Sequence, residues 1–344
     1  MNDRTRVLVA VGTTVLLFLG VQLGALALID PFTESGRQAV EDPQNPTNSI
    51  LYFGVMLVAT GLMLAAFKYD LEWLIRLLIV GVSVMISWYV FVELVPALLA
   101  PLVGSGVADA LAIVAALAVG AALWVYPEWY VIDATGVVMG AGAAALFGIS
   151  FGLLPALLLL AVLAVYDAIS VYGTEHMLDL AEGVMDLKIP VVLVVPMTLS
   201  YSYLADGSTD DVLEDDRETD TSAADGGTEQ DIDASAADDA GALDRDALFI
   251  GLGDAVIPSI LVASAAYFLE AGAISVPLIA LNLPALGALV GTIAGLLVLM
   301  YMVLKGRPHA GLPLLNGGAI GGYLLGSLLA GISLLETVGL TGIV

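Results

Sequence analysis

The chain contains no cysteine in its 344 residues. That excludes disulfides, thiol catalysis and cysteine-ligated metals, and leaves the compartment open. Basic residues are scarce, with 10 Lys and Arg against 35 Asp and Glu, for a net charge of −25. Phosphate backbones are gripped by clusters of Lys and Arg, so a nucleic-acid partner is disfavoured. Histidine occurs only at His176 and His309, both in expected loops, and there is no HExxH spacing. Two isolated imidazoles do not build a zinc protease site.

Apolar residues are abundant. They make up 59% of the chain, and the mean hydropathy is +0.97. In soluble domains they make up about half. Several apolar runs reach the ~20 residues that cross a bilayer as a helix. The expected fold is an all-α polytopic protein of the cell membrane, with no large soluble domain. The first run, Val7 to Ile29, is too long for a signal-peptide core and lacks a small-residue cleavage site after it, so it reads as a retained span. Nine spans are expected, at 7–29, 49–67, 71–95, 107–126, 130–150, 152–172, 247–269, 278–304 and 313–335.

The chain divides at residue 150. Residues 1–150 form an N-terminal region of five spans. Residues 151–204 hold span six and a shorter segment C-terminal to it. There EHMLDLAEGVMDLK reads as a short amphipathic interfacial helix, and the nine-residue IPVVLVVPM, held between Pro190 and Pro196, is too short to span and reads as a strand or re-entrant piece. Residues 205–246 are rich in Asp, Ala, Ser, Thr and Gly. Between Asp206 and Asp246 stand 16 acidic residues and two arginines, which predicts a disordered loop. Residues 247–344 carry spans seven to nine. Acidity throughout the water-exposed parts suits high salt, where screening is complete within a few ångströms; a halophilic archaeon is the expected source.

Lys and Arg set the orientation. With nine spans, Arg4, Arg6, Lys68, Arg76, Lys188, Arg217, Arg245, Lys305 and Arg307 fall on one side and Arg37 on the other. The expected N-terminus is cytoplasmic and the C-terminus outside. A tenth span at 189–197 would split this set.

Two carboxylates stand at membrane depth, where an unpaired charge costs several kcal/mol. Asp167 lies in ALLLLAVLAVYDAISVY, about five residues or roughly 8 Å from the cytoplasmic end of span six. Asp254 lies in LFIGLGDAVIPSILV, about seven residues or roughly 10 Å from the same end of span seven. Successive antiparallel spans thus carry one Asp each at nearly the same depth. Two facing carboxylates cannot both ionise cheaply, and they can share one proton. Such a pair can activate water, one member taking its proton while the other polarises a peptide carbonyl. Gly251 and Gly253 remove side chains on the approach to Asp254, which admits another backbone, whether a packed helix or an extended substrate. A third element lies level with these. Pro308 and Pro313 bracket a stretch that cannot be regular helix, and Ala310, Gly311 and Leu312 would sit near the cytoplasmic end of span nine.

Tyr166-Asp167, Gly251-Leu252-Gly253-Asp254 and the small-residue-Leu-Pro turn opening span nine resemble the presenilin and signal-peptide-peptidase class of GxGD intramembrane aspartyl proteases. YDAISVYGTEHMLDLAEGVMDLKIPVVLVVP is most similar to the archaeal presenilin homologues. The resemblance covers spans six to nine; spans one to five match in number and length. It implies nine spans with a cytoplasmic N-terminus, a catalytic dyad at Asp167 and Asp254, and no cofactor or metal. The family's Pro-Ala-Leu motif maps onto Ala310-Gly311-Leu312, followed by Pro313; the leading Pro is absent and Gly replaces Ala. The 173–246 spacer corresponds to the loop where presenilin is cut on maturation. The implied activity is peptide-bond hydrolysis within transmembrane substrates, in the bilayer. Apart from the resemblance, strand addition is the expected docking mode for an extended substrate, with 189–197 and 310–313 as candidate edges. A homo-oligomer is left open.

The residues alone leave a rival, an ion- or proton-coupled transporter with paired carboxylates, although no internal repeat of the transporter kind is present. A non-catalytic membrane scaffold, the third reading, would not need matched carboxylates. Tyr166 also reads as a packed aromatic, and Gly251 and Gly253 as helix-packing residues. Glu93, Asp109, Asp133 and Glu270 lie near span ends, within reach of water. Asn282 and Asn316 read as helix-end or interhelical hydrogen-bonding groups. GISFG at 148–152 fits the nucleophile-elbow pattern but falls between two apolar spans, with no strand–turn–helix to hold it. NGGAIGGYLLG has no Lys to grip phosphate and reads as helix packing.

Overall fold

A computed structural model describes residues 3–69, 71–173, 190–196, 201–202, 247–305 and 310–340. The amphipathic segment, the acidic loop of 205–246, His176, Pro308 and His309 lie outside the described residues. Six helices come first: α1 (Asp3–Glu34), α2 (Thr47–Lys68), α3 (Glu72–Val103), α4 (Ser105–Val125), α5 (Trp129–Ser150) and α6 (Leu153–Gly173). Two short strands come next, β1 (Val192–Pro196) and β2 (Ala247–Gly251), then α7 (Leu252–Phe268), α8 (Leu283–Val303), α9 (Gly311–Leu329) and the single turn α10 (Leu334–Thr337). Eight of these helices are long and apolar enough to cross a membrane, and α7 is a shorter apolar helix of 17 residues.

All nine expected spans correspond to helices, with shifted ends. The largest correction is in span seven. Residues 247–251 are strand, paired antiparallel with β1 from Val192↔Gly251 to Pro196↔Ala247. The helix begins only at Leu252, so Asp254 stands in its first turn. Both strands are apolar throughout because both faces are covered. Leu193, Val195, Leu248 and Ile250 pack with Phe18, Leu296 and Leu315, while Val194 and Ala247 pack with Val80, Leu123 and Ile132. Side chains alternate across a strand, so one short pair is clasped by helices on both sides. Span eight likewise starts late, at Leu283 rather than 278, because Asn282 caps it.

α5 is the central helix, touching α1, α3, α7 and β1. Gly136, Gly140, Ala141, Ala144, Ala145 and Gly148 are small enough to let those neighbours approach. α8 and α9 pack closest. A methyl built on Gly287 would lie 3.1 Å from Gly326 Cα, and one on Gly291 would lie 3.0 Å from Gly322 Cα. The glycine-rich run in α9 is thus a helix-packing face. α2 lies at the edge, with most of its side chains exposed toward what would be lipid.

Candidate active site

Asp167 and Asp254 project from α6 and α7 toward the start of α9. Asp167 is 7% exposed, and its Oδ2 accepts a hydrogen bond from the Leu312 N–H at 3.0 Å. The first N–H groups of a helix have no partner within it. Leu312 is the second residue of α9, and the Asp167 carboxylate supplies that partner at the helix's positive end. Gly311, the first residue of α9, lies against the other carboxylate. A methyl built on it would stand 3.2 Å from Oδ2 and 3.5 Å from Oδ1 of Asp254. Two adjacent residues of one turn therefore meet the two carboxylates, one each.

Local sequence explains how each carboxylate is held. The register carries on past the strands, with the Leu252 N–H donating to the Val191 carbonyl at 2.7 Å. The strand pair thus sets the residue at which α7 starts. Downstream, Pro258 lies four residues after Asp254 and has no N–H to donate to the Asp254 carbonyl, which loosens the helix at that turn.

The other expected site residues divide. Gly251 and Gly253 are exposed. A methyl on Gly251 would lie 3.5 Å from Asp254 Oδ2, and one on Gly253 would meet only Ile257 Cδ1, at 3.8 Å. Among the described residues no neighbouring helix is packed onto them, so there they leave the flank of Asp254 open. Leu252 turns the opposite way and is buried against α5, its Cδ1 near Gly136 and Gly140. Tyr166 points to α2, where its ring meets Phe53 edge-on with centroids 5.9 Å apart. Ala310 is buried in extended conformation as the residue before α9. The helix starts at Gly311, two residues before the expected start at Pro313, so Pro313 lies within the first turn, where a missing N–H costs no intrahelical bond.

Asp133 corrects the sequence reading more sharply. It does not reach water. It is 5% exposed, and its Oδ1 accepts the Val194 N–H at 2.7 Å. As the fifth residue of α5 it stands about as deep as Asp167, so the depth comparison that paired the other two carboxylates applied to it as well. Glu93 pairs with Arg37 at 3.0 Å. Ser150 of GISFG is buried and its Oγ accepts from the Ala39 N–H, a loop-anchoring role. Among the described residues no group of three or more His, Asp or Glu could hold a metal ion.

Comparison with known proteins identifies the family. The sequence profile of the family described as signal-peptide peptidase, presenilin aspartyl protease matches residues 15–332. A solved structure of a presenilin family intramembrane aspartate protease, in space group C222, superposes with a TM-score of 0.61 at 34% identity, over 93% of this chain and 99% of that one. A second, in space group P2, gives a TM-score of 0.58 at 34% identity, over 92% and 96%. Comparison with curated proteins returns no match. The profile spans most of the chain and the structural match nearly all of both chains, so this multi-pass membrane protein belongs to the signal-peptide peptidase and presenilin family of intramembrane aspartic endopeptidases.

Proposed function

We propose that Asp167 and Asp254 are the catalytic dyad and that together they activate one water to hydrolyse peptide bonds of transmembrane substrates. The observation that carries this is the convergence of both carboxylates on Gly311 and Leu312. The pair shares one proton. The ionised member takes a proton from water as the water oxygen attacks the scissile carbonyl carbon. The protonated member donates to the carbonyl oxygen. Collapse of the tetrahedral diol breaks the C–N bond: the proton taken from water leaves on the amine, and a diol hydroxyl returns its proton to the Asp that had donated one, restoring the shared proton. The titration belongs to the pair, so neither residue is named the base.

The open flank at Gly251 and Gly253 suits an unwound substrate, whose backbone comes near Asp254 without meeting a side chain. A helical peptide shields its own carbonyls, so extension precedes cleavage. Docking by strand addition fits a site that a strand leads into directly. Of the two edges proposed from sequence, β1 is met by Asp133 at Val194, and the 310–313 turn opens a helix, so neither is a plain free edge. Water reaches the dyad from the cytoplasmic side in the orientation set by Lys and Arg.

The test is cleavage of a transmembrane peptide by the purified chain. Asp167→Ala and Asp254→Ala are each expected to lower kcat at least a thousandfold with folding retained, as loss of an essential acid or base does. Proteolysis that survives either change rules out the dyad.

A further inference from the structure

Asp133 is a third intramembrane carboxylate that the reaction does not use. A buried apolar residue would pack α5 against the sheet without the desolvation a carboxylate carries. What the carboxylate adds is an acceptor for a strand N–H that faces away from its partner strand. Val191 pairs with Leu252 through a ladder bond, and bonded and unbonded pairs alternate along an antiparallel ladder. The register makes Val194↔Phe249 an unbonded pair, so the Val194 N–H points outward, and there it meets Asp133 Oδ1 at 2.7 Å. One turn along α5, a methyl on Gly136 would stand 3.0 Å from Leu193 Cδ2 and 3.7 Å from Leu252 Cδ1. One face of α5 thus grips β1 by a buried hydrogen bond and close packing, and touches the first residue of α7. From Asp133 the connection runs to Val194, through the β1–β2 ladder and the Leu252 N–H, to Asp254 two residues on.

We propose that Asp133 is a positioning residue of the protease: by holding β1 to α5 it sets, through the strand pair, where Asp254 stands relative to Asp167. The same bond closes the outer edge of β1 at Val194 to an added strand. The inference rests on the reading of Asp254 as half of the dyad. A misplacement of about 1 Å at a reacting group costs about a hundredfold in rate, so a small slip of β1 is read in kcat.

The experiment uses the full chain and a transmembrane peptide, with kcat and KM measured for Asp133→Asn, Asp133→Leu and Val194→Pro, and Asp254→Ala as the control. The Asn side chain still accepts through Oδ1, and Asp133→Asn is expected to keep kcat within about threefold of the parent. Asp133→Leu loses the acceptor and Val194→Pro the donor; each is expected to lower kcat about tenfold to a hundredfold with KM within about twofold. A proline at Val194 leaves the β1–β2 bonds in place, since that N–H faces outward. Parent-like kcat in Asp133→Leu, or equal losses in the Asn and Leu variants, overturns the proposal. If Asp133→Leu does not fold, Val194→Pro decides, and a parent-like kcat there overturns it. An active Asp254→Ala overturns the dyad and this inference together. An inactive Asp254→Ala beside a fully active Asp133→Leu overturns this inference alone.

Discussion

Asn282 joins two helix ends with one side chain. Its Oδ1 accepts the Ala285 N–H at 2.8 Å and caps α8, while its Nδ2 donates to the Ala265 and Leu269 carbonyls at 2.8 and 2.6 Å, where α7 ends. The site is 2% exposed, so no water replaces those bonds cheaply. Asn282→Ala is expected to cost roughly 2–3 kcal/mol, one part a lost cap and the rest orphaned carbonyls. Thermal unfolding in detergent measures this, and an unchanged midpoint contradicts the capping role. A helix-end or interhelical hydrogen-bonding role for this residue is legible in sequence; its place before the first residue of α8 is not, because the apolar run extends back to 278. Asn316 was legible in the same way and donates to the Leu160 carbonyl across helices. Asp133 was misread, because a carboxylate near a span end normally faces water. Only the position of the Val194 N–H explains why this one turns inward.

At the scale of elements, the strand pair is what sequence left open. IPVVLVVPM was too short to span, and its strand reading agrees with β1. Its partner, ALFIG, reads as the start of span seven, because apolar strand and apolar helix look alike over five residues. The chain has no cysteine, so an engineered pair reports the register without background. Pro196 and Ala247 face each other in an unbonded pair, with Cα atoms expected about 4.5 Å apart, within disulfide reach. The double variant Pro196→Cys with Ala247→Cys is expected to cross-link under mild oxidation, seen as a mobility shift on a gel. A helical 247–251 would give none. The glycine face between α8 and α9 is a second case at this scale. A methyl on Gly326 would stand 2.9 Å from Pro284 Cα, and its neighbours along α9 are as close to α8. Gly322→Leu is therefore expected to force the helices apart, at a cost on the order of 3 kcal/mol, and to lower the unfolding temperature markedly. A parent-like unfolding temperature would mean that the two helices do not pack along this face.

For the whole molecule, α7 is the helix that departs from the common length. At 17 residues it is about 25 Å long, and it sits among α1, α5, α6, α8 and α9. Enclosed by helices, it need not match the full bilayer as a lipid-facing helix must. The orientation set by basic residues is checked by labelling single cysteines in sealed vesicles. Glu41→Cys is expected to react from outside and Lys305→Cys from the cytoplasmic face; the opposite pattern inverts the topology. Sequence by itself determined the class, the number and order of the apolar helices, and the two carboxylates at matched depth. All of these come from local composition and from distance along a helix, which one chain carries in order. Tertiary structure alone decided that residues 247–251 pair with 192–196, that the first turn of α9 meets both carboxylates, and that Asp133 faces a strand rather than water. Those are contacts between segments 50 to 150 residues apart, where hydrogen-bond donors must find acceptors away from water, and no local pattern encodes which partner they find.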